Sequence, residues 1–159
     1  MDLATKVANL MEEHNPDAVF CDSGGGGGVI DRLRQLKYDV IEIPFGGRAI
    51  HPDKYINRRT EMWWLMKEWV EEGGAIPDDV ALKQELATPI YWYDNVGRRV
   101  LESKDQIKKR LQGGGSPDLA DALALTFALP VGKKQPEDIY IKRRKEATQK
   151  TDYDPYKVI

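Results

Sequence analysis

The chain has little of what braces or localises many small proteins. Its 159 residues include one cysteine, Cys21, and two histidines. One thiol cannot form an internal disulfide, and this Cys/His complement does not suit a zinc site. A reducing, cytosolic setting fits. No stretch approaches the roughly 18 apolar residues that a membrane span needs. Asp2, Glu12 and Glu13 interrupt any apolar region near the N-terminus, so that segment does not read as a secretory signal. There is no internal repeat. No sign of charge dominates, because the formal net charge is −2. What remains is the composition of an ordinary globular domain, 41% hydrophobic and 31% charged, long enough to bury a real core.

The charge is unevenly placed. Residues 1–97 hold 10 basic and 17 acidic side chains, a net of −7. Residues 98–110 hold 6 basic and 2 acidic, a net of +4, and residues 133–159 hold 8 and 5, a net of +3. A solvated surface explains such runs, but basic segments beside an acidic pocket are also what a phosphodiester substrate requires.

Hydrophobic spacing predicts the elements. Residues 3–14 read as a helix with Leu3, Val7, Leu10 and Met11 on one face and Asp2 as N-cap. Residues 17–22 read as a buried strand, followed by a glycine run, Gly24 to Gly28, and a helix over residues 29–36. Residues 39–44 form the next strand. Strand, helix, strand with short connections predicts a parallel βαβ unit. After a loop over residues 45–55, residues 57–72 read as a helix ended by Gly73-Gly74, with Met62, Leu65, Met66 and Trp69 as its core stripe. A short helix from Pro77 through Leu86 follows. Residues 90–93 and 99–101 predict a hairpin turning at 94–97, and Ser103 is placed to cap a helix running to Leu111. Ser116 and Pro117 read as N-cap and first position of an apolar helix over residues 118–129. Residues 1–131 are expected to be one α/β domain, and residues 132–159 a charged peripheral tail.

Two acidic sites carry the candidate chemistry. Asp22 ends a strand, where ligands bind in open α/β sheets, and Gly24, Gly25 and Gly26 after it leave room for a polymer backbone. The amides that start the following helix could bind an anion. The bland reading is an Asp that caps the turn. Strand, glycine run, helix and Glu42 also imitate a dinucleotide fingerprint, but the third glycine position falls on Val29 and no Lys-Ser/Thr closes the run. Asp118 and Asp121 are three residues apart in the first turn of an apolar helix, so both carboxylates share a face. Acidic residues there also match the helix dipole. Hard divalent cations take carboxylates, waters and substrate phosphates, and two such ions about 3.5–4 Å apart can drive phosphodiester cleavage. Asp22, Asp118 and Asp121 supply three carboxylates toward such a site.

Taken in order, several segments resemble the phage terminase large subunits. They are Asp22 with the glycines and Val29-Ile30-Asp31-Arg32-Leu33, Phe45-Gly46, Asn57-Arg58-Arg59-Thr60-Glu61-Met62-Trp63, Gly97-Arg98, Leu101-Glu102-Ser103-Lys104-Asp105, and Ser116-Pro117-Asp118-Leu119-Ala120-Asp121-Ala122-Leu123. The resemblance runs from about Asp17 to Leu129. It implies a ribonuclease H-like nuclease domain with an incomplete central sheet, a parallel βαβ unit flanked by helices, and a β-hairpin. It implies cutting of concatemeric double-stranded viral DNA with Mg²⁺ or Mn²⁺ in a two-metal site, in the cytoplasm of a bacterial host. Asp22, Asp118 and Asp121 would be the catalytic metal ligands, with Arg98, Arg99, Lys104, Lys108, Lys109 and Arg110 on backbone phosphates. The implied partners are the ATPase domain of the same protein, the portal and the small terminase subunit, with no membrane. The family's first strand, which carries its first catalytic Asp, and its Walker motifs have no counterpart here. The sequence therefore reads as the C-terminal portion of such a protein, either an excised piece or a truncated prophage gene. Two other functions stay open, a catalytically incomplete interaction domain and a nucleotide-binding module.

Overall fold

The computed structural model describes residues 2–113 and 115–133. The charged tail expected over 132–159 lies outside the described residues from 134 onward. The elements are α1 (Leu3–His14), β1 (Phe20–Asp22), α2 (Ser23–Gln35), β2 (Ile41–Ile43), α3 (Arg58–Glu71), α4 (Val80–Ala87), β3 (Tyr91–Tyr93), β4 (Arg99–Leu101), α5 (Lys104–Arg110) and α6 (Asp118–Leu125). β1 and β2 are parallel, with Phe20 opposite Ile41 and Asp22 opposite Ile43. β3 and β4 form the expected antiparallel hairpin, closed by the turn at Asp94–Gly97. The βαβ unit and the hairpin are thus as the spacing predicts, although both strands of the parallel pair are shorter.

Alternation along β1 and β2 puts apolar residues on both faces of this small sheet. On one face Cys21, Val19 and Val40 meet Ala4, Ala8 and Leu33 of α1 and α2. On the other, Phe20, Ile41 and Ile43 meet Met62, Trp63 and Met66 of α3 and Ala120, Ala124 and Ala128 in and after α6. The small side chains of α6 let it lie close against α3 and α4 and touch β1.

Several local expectations are corrected. Gly24 to Gly28 do not form a loop before a helix. They lie inside α2, which begins at Ser23 because Asp22 caps it by accepting from the Gly24 amide at 3.0 Å. Asp2 sits at the N-cap of α1, but its side chain makes no capping hydrogen bond. Pro117, not Ser116, occupies the N-cap of α6, and that helix ends at Leu125 before a turn. In α3, Leu65 is exposed and Trp69 half-buried, while Trp63 is buried. The buried arc of α3 is rotated toward residues 59, 62, 63 and 66, since Arg59 and Trp63 both reach α6.

The first turn of α3 is polar and buried. Arg58, Arg59, Thr60 and Glu61 are each at most 7% exposed. Apart from Arg59 Nη2, the polar side-chain groups there find partners, most of them across the fold. The amides of Arg58 and Arg59 donate to the carbonyls of Gly47 and Phe45, and that of Thr60 to the Asn57 side chain. These three bonds satisfy donors that a helix start leaves open. Gly47 must lack a side chain, because a β-carbon there would come within 2.9 Å of Pro44. Glu61 accepts from the Ile50 amide at 2.6 Å, the His51 amide at 3.0 Å, His51 Nδ1 at 2.7 Å and Arg58 at 2.9 Å. Arg58 also donates to the Ala128 carbonyl after α6.

Burial alone would raise the Glu61 carboxyl, but His51, the two amides and Arg58 outweigh it and hold it below the ordinary carboxylate range. Its contribution to stability is therefore complete above an unfolded pKa of about 4.3 and lost as pH falls through the lower folded value. Glu61→Gln is expected to cost about 2–3 kcal/mol at neutral pH, through a buried cation left without its charge partner. Urea titrations at neutral and acid pH should show that deficit shrinking with acidification. An equal deficit at both would show that the ionised carboxylate is not what matters.

Candidate functional site

The site lies where β1, the start of α2, the loop at Phe45-Gly46, the start of α3, the end of β4 and the start of α5 meet. They enclose an open cavity of about 480 Å³ lined by Asp22, Gly24, Gly25, Phe45, Gly46, Asn57, Arg59, Thr60, Leu101, Ser103 and Lys104. Ser103 begins α5 with a reciprocal capping box, its side chain bonded to the Gln106 amide and the Gln106 side chain to the Ser103 amide. That cap fixes Lys104 at the cavity wall.

Lys104 links the cavity to α6. Its Nζ is 2.9 Å from Asp121 Oδ2 and 3.1 Å from Asp118 Oδ1. The two carboxylates therefore converge on one cation, as their shared helix face predicts. Their environments differ. The Asp118 side chain is 74% exposed, whereas that of Asp121 is 4% exposed. Asp121 Oδ1 accepts from Arg59 Nε at 2.8 Å and from Trp63 Nε1 at 2.6 Å. Burial alone would lower the Lys104 ammonium, but Asp121 and Asp118 outweigh it and hold it above its ordinary value. The Ser116 hydroxyl beside Asp118, together with Lys104, keeps the Asp118 carboxyl below the ordinary range against its partial desolvation.

Asp22 stands in the same cavity wall as Lys104, half-buried, with one oxygen on the Gly24 amide. The cap reading of Asp22 is thus correct as far as it goes, and the residue still faces the cavity. Among the described residues no three His, Cys, Asp or Glu side chains gather closely enough to hold a metal ion. An ion of the Mg²⁺ class needs only one or two carboxylates with waters and phosphates. The donor set fits one hydrated divalent ion taking the place of the Lys104 ammonium between Asp118 and Asp121. It falls short of a two-metal pair.

The basic candidates are placed as follows. Arg98 pairs with Asp94 at 2.7 Å in the hairpin turn. Arg99 lies over the Trp64 ring at 4.3 Å and the Tyr55 ring at 5.4 Å. Arg110 forks onto Glu102 at 2.9 and 2.7 Å and donates to the Thr88 carbonyl. Lys108 and Lys109 are exposed on α5. Sequence reasoning missed Arg59 and Trp63 as partners of Asp121. Their signal was the i, i+4 spacing of a cation and an indole on α3, which reads as ordinary helix surface until α6 is laid against it. Among the described residues no helix is long and apolar enough to cross a membrane.

No protein-family model matches the chain, and neither does any curated protein sequence. Solved structures do. The nuclease domain of the large terminase subunit gp2 of bacterial virus Sf6 superposes with a TM-score of 0.63 at 21% identity, over 82% of this chain and 74% of that one. A lysine-to-alanine mutant of the same domain, solved with manganese and β-thujaplicinol, gives 0.64 at 21% identity over 82% and 74%. A calcium form of that mutant from the same bacteriophage gives 0.60 at 21% over 80% and 71%. The chain therefore has the α/β fold of a terminase nuclease domain, as the resemblance implies.

The two acidic residues of α6 should separate experimentally. Asp121→Asn breaks a buried pair and is expected to destabilise the fold by about 3–5 kcal/mol. Asp118→Asn removes an exposed pair and should cost under about 1 kcal/mol. Equal losses in urea denaturation would overturn this division.

Proposed function

We propose that this chain is the C-terminal part of the nuclease domain of a large terminase subunit, cutting concatemeric double-stranded DNA in a phage or prophage packaging motor. The observation that carries the reading is the convergence of Asp118 and Asp121 on one cation beside a cavity that Asp22 also lines. It is supported by the fold shared with nuclease domains whose structures were solved with manganese and with calcium.

In this reading Asp118 and Asp121 would hold Mg²⁺ or Mn²⁺ directly, with Asp22 reaching the ion through its water shell from the same cavity. When bound, such an ion activates water and stabilises the leaving oxygen. Lys104 aligns the two α6 carboxylates, and can turn to a phosphate when the ion takes its place. Lys108 and Lys109 supply exposed charge for the backbone, while Arg98, Arg99 and Arg110 stay with their internal partners and add only to the local field. Such contacts bind DNA without regard to sequence and weaken with salt. Gly24, Gly25 and Gly26 allow the strand to come close. The ATPase domain, portal and small subunit would be its partners, in the host cytoplasm.

A second reading has its own observation. Asp121 is already held by Arg59 and Trp63 on Oδ1 and lies against the Lys104 ammonium on Oδ2, which is how a structural carboxylate is placed. This portion would then be catalytically incomplete and serve as an interaction domain.

Incubating the protein with supercoiled plasmid and Mn²⁺ distinguishes the two. Cleavage that a chelator abolishes, and that Asp22→Asn reduces on the order of 100-fold, supports the nuclease. Asn caps a helix as well as Asp does, so this variant keeps the fold. No cleavage at any Mn²⁺ concentration supports the second reading. Cleavage indifferent to Asp22→Asn removes Asp22 from the site.

A further inference from the structure

Five consecutive glycines lie inside α2; a β-carbon at Gly24 would crowd the capping Asp22 carboxylate at 3.3 Å, but neither the backbone nor the packing of the chain requires glycine at the other four. None has a positive φ. A β-carbon at Gly25, Gly27 or Gly28 would meet nothing within 4 Å, and at Gly26 only Ile30 Cδ1 at an ordinary 3.9 Å. A helix start built this way is weaker than one built of alanine. Gly24, Gly25, Gly27 and Gly28 are exposed, and at 100° per residue they cover one side of the first two turns. That side is bare backbone over about 7 Å of helix.

Arg59, which is 7% exposed, lines the same cavity as Gly24 and Gly25. Its Nε is committed to Asp121 and its Nη1 to the Glu102 carbonyl. Its Nη2 is buried with no hydrogen-bond partner. A desolvated guanidinium N–H left unpaired is costly. The amides of the first turn of α2 also have no partner within the helix, apart from that of Gly24, which Asp22 takes. A buried unpaired donor on one lining residue and a helix start whose Gly24 and Gly25 line the same cavity are anion-binding chemistry.

We propose that the glycine face of α2 and Arg59 Nη2 form a cradle for the sugar–phosphate backbone of a DNA strand, with a non-bridging phosphate oxygen accepting from Nη2. The length of the bare strip exceeds one phosphate and suits a polymer. Asp22, in the same wall, disfavours a free phosphate dianion more than a diester, which carries one negative charge. Glycine is present because a strand must come closer than any side chain allows. The proposal rests on the DNA-cutting reading and adds to it a binding residue, Arg59, and a reason for the glycines.

The test measures binding of the full chain to a fluorescently labelled DNA duplex in chelator, so that neither metal nor cleavage enters. The double variant Gly25→Ala/Gly28→Ala is expected to melt a few degrees higher yet bind the duplex about 10-fold more weakly. Arg59→Lys keeps a charge for Asp121 but loses both Nη1, which holds the Glu102 carbonyl, and Nη2; measured at a temperature where its melting curve shows it folded, it should show a similar loss of affinity. If the wild type binds and the double variant binds equally well, the cradle is wrong and the nuclease reading stands. If the double variant melts lower, the fold needs the glycines and the cradle is wrong. If the wild type does not bind the duplex at all, the cradle and the DNA-cutting reading fall together.

Discussion

The structure depends on one constraint, the need to satisfy the desolvated charges in the first turn of α3. A buried ion left without its partner costs several kcal/mol, which is comparable to the whole stability of a small domain. Arg58, Arg59 and Glu61 are all inside, so each dictates where another segment must lie. Glu61 draws in the backbone at Ile50 and His51. Arg58 reaches the carbonyl that follows α6, and Arg59 reaches both Asp121 on α6 and the Glu102 carbonyl after β4. Thr60 adds the hairpin, its hydroxyl accepting from the Leu101 amide at 3.2 Å. The apolar contacts of Met62 and Met66 supply the driving force, but they are non-directional. The ionic turn sets which loop, strand and helix occupy each position around α3.

That arrangement also explains the split character of the acidic pair on α6. Asp121 is placed by the same Arg59 that organises the core, so its position is rigid and it is already partnered. Asp118 is one turn nearer the helix start, free of α3 and open to solvent. A site made from one fixed and one exposed carboxylate has a reference point and an adjustable arm, and Lys104 bridges the two. The same physics makes loss of function at Asp121 ambiguous, because a variant there removes a support of the fold. On the proposed reading, Asp22 and Asp118 are the residues whose substitution would speak to chemistry.

Much of this was legible in the residues. Period-two and period-3.6 patterns located β1, β2, the hairpin and most helices, and the spacing of Asp118 and Asp121 correctly placed both on one side of α6. Three features were not legible, for different physical reasons. The glycines looked like a loop because local propensity opposes a helix there, and only the Asp22 cap and the packing of Ile30 and Leu33 pull them into α2. The core stripe of α3 was half right, with Met62 and Met66 inside but Arg59 and Trp63 in place of Leu65 and Trp69, because a sequence pattern assigns arginine to the surface unless its partner is known. That partner, Asp121, is 62 residues away in the chain, beyond any local signal. The basic cluster at 98–110 was counted as free charge, although charge counting cannot see that Asp94 and Glu102 neutralise Arg98 and Arg110 from within the hairpin and its base.

This last point bears on how such a surface could hold a polyanion. Arg110 and Glu102 form a two-pronged pair, and Arg110 keeps Glu102 well ionised while a backbone amide adds to the effect. Releasing that arginine to a phosphate would leave the buried Glu102 uncompensated, so it stays where it is. Arg99 is flanked by two aromatic rings and is similarly fixed. Long-range attraction therefore falls to Lys108 and Lys109, and at physiological salt such exposed charges act over only about 8 Å. Close-range affinity must come from groups already desolvated at the cavity, where a hydrogen bond to an anion is worth more than a screened surface contact. A surface organised in this way favours a ligand that fits the cavity wall over one that is merely negative. On the proposed reading, the shape of the α2 backbone would matter to binding as much as the count of lysines and arginines.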